Sequence, residues 1–105
     1  MDVNGSKVDC KFWFVVKGKP SDMYLGQIHL FEHQYDPKTQ FWYGVADVSC
    51  SFDDIGEIFG NGGEDDFGLS ITLEDGRKGM AKAIGSGQMQ GSYFHVAVFG
   101  WTKLG

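Results

Sequence analysis

Between residues 8 and 16 apolar and polar side chains alternate, with Val8, Cys10, Phe12, Phe14 and Val16 on one face and Asp9, Lys11, Trp13 and Val15 on the other. A period of two is the signature of a half-buried strand. Lys17-Gly18-Lys19-Pro20-Ser21-Asp22 then carries turn chemistry, with glycine and proline close together. A second strand is predicted from about Tyr24 to Glu32, where Gly26 leaves a gap into which another backbone or a ring can come close. The segment His33 to Thr39 holds Asp36-Pro37 and reads as the next loop, because proline cannot serve a central ladder.

Phe41 to Phe52 reads as a long third strand. Phe41, Tyr43, Val45 and Asp47 share one of its faces; Trp42, Gly44, Ala46, Val48 and Cys50 form the more continuous apolar one, with Gly44 marking a bulge or bend. Helical spacing occurs once, where Ile55, Ile58 and Phe59 fall at i, i+3 and i+4 after the capping candidates Asp53 and Asp54 and before Gly60. With Gly56 inside, this predicts a single turn or a short 3₁₀ piece packed as a lid on one end of the sheet.

Phe67, Leu69, Ile71 and Leu73 alternate with Gly68, Ser70, Thr72 and Glu74, and Asp75-Gly76 follows. Asp-Gly between strands is the favoured two-residue type I′ turn, which sets Glu74 opposite Arg77. The return strand is predicted from Lys78 to Ile84, a glycine-rich loop from Gly85 to Gly91, and a last strand from Ser92 to Trp101. Six mainly antiparallel strands with one short helical turn between the third and fourth, ending in a three-stranded meander, predict an all-β fold with minor α content. A small barrel or a bent two-layer sheet satisfies that pattern. The 105 residues make one β domain over 1–105, with 1–7 expected as a flexible N-terminal stretch.

Composition narrows the function classes. Hydrophobic residues at 42% and charged residues at 22% belong to a globular chain rather than a disordered one. A net charge of -5 is the wrong sign for gripping phosphate backbones, so double-stranded nucleic acid is not an expected partner. There is neither a basic start followed by an apolar run nor an apolar stretch near 18 residues, so the expected location is cytoplasmic, away from membranes. In that reducing compartment Cys10 and Cys50, both within apolar runs, are expected as buried free thiols rather than a disulfide.

No motif names a reaction or a cofactor. Gly85-Ser86-Gly87-Gln88-Met89-Gln90-Gly91 resembles a phosphate loop but has no helix N-terminus after it, which the mechanism needs. Glu64, Asp65 and Asp66 are the weak candidates for a metal, since hard cations take oxygen ligands from such loops, yet the ordered spacing of a calcium loop is missing. His29 and His33 stand about 13 Å apart along an extended strand, too far to share one zinc ion. No Gly-x-Ser-x-Gly elbow supplies a nucleophile.

Aromatic residues are the remaining signal: nine Phe, four Tyr and three Trp. They fall on both faces of the strands, which gives more apolar surface than one core can cover. Trp13, Trp42, Tyr43, His95 and Trp101 are the candidate ligand or interaction residues. The expectation is a non-enzymatic binding module, using aromatic sheet surface and self-associating as a homodimer, with no cofactor. The alternative is a ligand-binding barrel or small enzyme whose pocket is lined by Trp42, Tyr43, His95 and Trp101, taking a small apolar or aromatic ligand, or else a module for another protein partner.

Overall fold

The computed structural model describes residues 5–36, 39–60 and 67–105, with side chains throughout these spans except 33–36 and 39–40. Its elements are β1 (Ser6–Val16), β2 (Lys19–Asp36), β3 (Thr39–Ser49), α1 (Phe52–Phe59), β4 (Gly68–Leu73), β5 (Lys78–Gln90) and β6 (Tyr93–Gly100). The strands close a barrel in the order β1-β2-β3-β6-β5-β4. Two meanders, β1-β2-β3 and β4-β5-β6, are joined through α1, and antiparallel pairing of β3 with β6 and of β1 with β4 seals the two seams. Closure gives each of the six strands a hydrogen-bonded neighbour on both sides.

Strand alternation sends one face of every strand inward. Phe12 and Phe14 of β1, Ile28 of β2, Trp42 and Val48 of β3, Leu69 and Ile71 of β4, and Val96 and Val98 of β6 are its largest fully buried side chains. The interior is therefore filled by packed side chains. Gly26 and Gly44 face inward: a side chain at Gly26 would collide with the Asp47 carbonyl and crowd the Phe12 ring, and one at Gly44 would meet the His29 carbonyl. Both absences let β2 and β3 wrap tightly around the core.

The two barrel mouths are closed differently. At one, Phe14, Tyr24, Phe59, Phe67 and Phe94 form a ring cluster with neighbouring centroids 4.8–6.2 Å apart, and α1 contributes Phe59 to it. The helix sits as the expected lid, but it is a full eight residues rather than one turn. Ser51 caps it, accepting from the Asp54 N–H at 3.0 Å while the Asp54 carboxylate accepts from the Ser51 N–H at 2.9 Å. At the other mouth the C-terminal segment returns as a plug: Leu104 is buried, and Gly105 and Lys78 exchange backbone hydrogen bonds, each of 3.0 Å.

Several local expectations are corrected. Lys17 (φ 53°) and Gly18 (φ 77°) both adopt left-handed conformations with Val16 paired to Lys19, so the two-residue type I′ turn lies here. Consequently β2 begins at Lys19 and takes in Pro20, Ser21 and Asp22. It accommodates the proline through a register shift between Trp13 and Val15, where the Phe14 N–H donates to Ser21 Oγ at 2.9 Å.

The Asp75-Gly76 hairpin differs from its prediction. Leu73 N–H donates to the Arg77 carbonyl, and Gly76 N–H to the Leu73 carbonyl, with only Gly76 left-handed (φ 94°). That is a three-residue loop ending in a bulge glycine, and Arg77 turns to Asp75 and Glu32 instead of Glu74.

Gly85 to Gln90 is not a loop but the second half of β5. Gly85 and Gly87, both at positive φ, absorb the register shift between Ile84 and Gln88 that lets the strand continue. At the chain start, β1 already includes Ser6 and Lys7, inside the stretch expected to be flexible; residues 1–4 lie outside the described residues.

Candidate functional site

Because the core occupies the inside, the surface available for recognition is the outer wall. On it, cross-strand pairing lines up residues in rows perpendicular to the strands. One row is polar: Asp9, Gln27, Asp47, His95 and Gln88, from β1, β2, β3, β6 and β5 in turn. Within it Gln27 Nε2 donates to Asp9 at 2.9 Å, and His95 Nδ1 lies 2.6 Å from Asp47 Oδ1, fixing the imidazole's orientation.

The next row runs Lys7, His29, Val45, Ala97 and Ile84, and the one after it Phe31, Tyr43, Phe99 and Lys82. Phe31 stacks on Tyr43 with centroids 5.1 Å apart and planes 9° from parallel, and also stacks on His29 at 4.9 Å. Tyr43 is 38% exposed, Phe99 43% and Ile84 55%. An apolar patch thus spans β2, β3, β6 and β5 on the outside of the barrel, bordered by the polar row. Isolated exposed rings are ordinary, whereas rings contiguous across three strands make up a single patch.

Tyr43 and His95 both lie on this wall, two rows apart. Trp42, one residue from Tyr43, points inward; it is 1% exposed and its indole N–H donates to the Thr102 carbonyl at 2.8 Å. Trp13 lies on the outer wall of β1 opposite Ser70 of β4, and Trp101 follows β6 two residues beyond Phe99, its backbone N–H donating to the Met80 carbonyl of β5. Trp42, Tyr43, His95 and Trp101 therefore do not line one cavity, since alternation sends Trp42 into the core while Tyr43 and His95 lie on the outer wall. Phe31 and Phe99 join the patch without having been singled out by sequence. Only the register of β2 and β6 against β3 reveals that they flank Tyr43.

The metal candidates Glu64, Asp65 and Asp66 lie outside the described residues. Among the described residues no three His, Cys, Asp or Glu side chains converge in a way that would hold a metal ion. Cys10 and Cys50 are free and buried, and burial pushes their thiols up to about 12 and about 11, which keeps them protonated at neutral pH and poor as nucleophiles. Among the described residues no helix is long and apolar enough to cross a membrane. Comparison with known protein families, curated proteins and solved structures returns no match for this chain.

Proposed function

We propose that this protein is a non-enzymatic interaction module that works as a homodimer through the outer face of β2, β3 and β6. The observation that carries the reading is the outward aromatic row of half-buried Phe31 and exposed Tyr43 and Phe99, contiguous across three strands of a closed barrel. Over the barrel wall each strand is paired on both sides, so contact through that wall is face to face.

The seam between β3 and β6 is suited to its own copy. Along it the outward pairs are Tyr43 with Phe99, Val45 with Ala97, and Asp47 with His95. A two-fold axis running parallel to the seam sets each member over the other member of its own pair: Tyr43 on the partner's Phe99, Val45 on the partner's Ala97, and Asp47 on the partner's His95. Aromatic meets aromatic, aliphatic meets aliphatic and carboxylate meets imidazole, the self-complementarity that a two-fold interface requires. Solution mass tests this, because a dimer at micromolar concentration supports the reading and a monomer contradicts it.

A further inference from the structure

The seam pair Asp47 and His95 does more than match its own copy. His95 Nδ1 lies 2.6 Å from Asp47 Oδ1. An ionised carboxylate can only accept, so this contact puts the imidazole proton on Nδ1 and leaves Nε2, in the neutral ring, a bare acceptor. The two side chains are 36% and 37% exposed, so the outer end of the ring is open to a surface laid on the wall.

On the two-fold reading above, from which this inference starts, each His95 meets the partner's Asp47. With the ring neutral, Nε2 then sets acceptor against acceptor, and two carboxylate charges gather at the axis of a dimer whose chains each carry -5. With the ring protonated, Nδ1–H donates to Asp47 of the same chain and Nε2–H donates to the partner's Asp47. Two imidazoliums then alternate with two carboxylates in a closed ring of four charge-assisted hydrogen bonds.

Among the described residues, β3 faces His95 with Asp47 and, diagonally, Val45 and Ser49; β5 faces it with Gln88. On β6 itself its neighbours on the wall are Tyr93 and Ala97, so Asp47 is the one carboxylate and the Tyr93 phenol the one further ionisable group. The other described imidazole on this side of the barrel, His29, is occupied in stacking on Phe31 in β2.

We propose that self-association is gated by protonation of His95, each copy taking up a proton there as the dimer forms. Because the paired state favours the charged ring, association is strongest at the acid end of the range in which imidazoles change charge, about pH 5 to 8, and is lost as pH rises through it.

Sedimentation equilibrium of the whole chain at about pH 6 and about pH 8 tests this, in about 0.15 M salt to screen the overall charge of the two copies. The wild-type dimer should be at least about tenfold tighter at the lower pH. His95→Gln should change less than about threefold between the two, and His29→Gln should keep the wild-type dependence. Asp47→Asn should reverse it, since an amide donates to the neutral Nε2 and protonation would then leave two imidazoliums at the axis without carboxylates. A wild-type dimer equally tight or tighter at pH 8, a wild-type dependence in His95→Gln, its loss in His29→Gln, or tightening of Asp47→Asn on acidification would each overturn the gate and leave the dimer standing. A monomer at both pH values would overturn the dimer and the gate together.

Discussion

The indole of Trp42 lies directly against the α-carbon of Gly100, so closely that a methyl group on Gly100 would overlap the ring. Gly79 leaves a second gap beside the same ring, next to Leu104, and Thr102 accepts the indole N–H. The largest side chain of the core is thus seated by two glycines and by the C-terminal segment. Gly100→Ala should cost about 1–3 kcal/mol through overpacking, and Trp42→Ala about 3–5 kcal/mol through the cavity it leaves. Gly56 has open space where a side chain would go, and Gly56→Ala should stabilise α1 by about 0.5–1 kcal/mol. Urea unfolding midpoints for the three variants check both signs.

The two thiols set an alkaline limit on stability. Their folded-state values, about 12 for Cys10 and about 11 for Cys50, lie above the ordinary value of 9.0, with burial the main cause. A thiol held protonated by folding contributes stability that is fully present below its unfolded value and is lost as pH rises toward the folded one. Stability should therefore fall between about pH 9 and 11–12. In Cys10→Ala that fall should be shallower. Unfolding midpoints measured across this range check it, and at pH 8 a thiol reagent should label either cysteine only as fast as the protein opens.

Lys17 occupies a left-handed position that asparagine and glycine fill at less cost. Lys17→Asn should raise stability by about 0.5 kcal/mol, while Gly18→Ala, at φ 77°, should lower it by about 1 kcal/mol. Thermal melts of the two variants should move in opposite directions.

How far the sequence carried depended on what each residue's placement rests on. The alternations of β1 and β4 were legible because one face of each is buried and the other exposed, and the same parity already put Trp42 on the apolar face of β3. The extension of β5 was not legible: Gly85 and Gly87 carry loop chemistry, and only pairing with β6 turns them into a bulge within a strand. Pro20 misled for a related reason, because the register shift that lets β2 accept it depends on the Ser21 hydroxyl. The patch was half legible. Tyr43 could be named from its own strand, but Phe31 and Phe99 become its neighbours only through register, which no local pattern contains.

The lid helix depends on the residue that caps it, Ser51. Ser51→Ala removes the side-chain acceptor for the Asp54 N–H and should cost about 1 kcal/mol. Because α1 has no fully buried residue and reaches the core through Ile55, Ile58 and Phe59, the loss should appear chiefly as faster amide exchange in α1. Exchange in β1 should change less.

Sedimentation equilibrium of the wild-type chain beside Tyr43→Glu tests the self-association of the aromatic wall most directly. Tyr43 is at the surface, so glutamate there leaves the core intact and places a carboxylate against the partner's Phe99. The expected result is a wild-type dimer at micromolar concentration and a Tyr43→Glu monomer with an unchanged circular dichroism spectrum. A wild-type monomer throughout that range, or a variant as dimeric as the wild type, would contradict it.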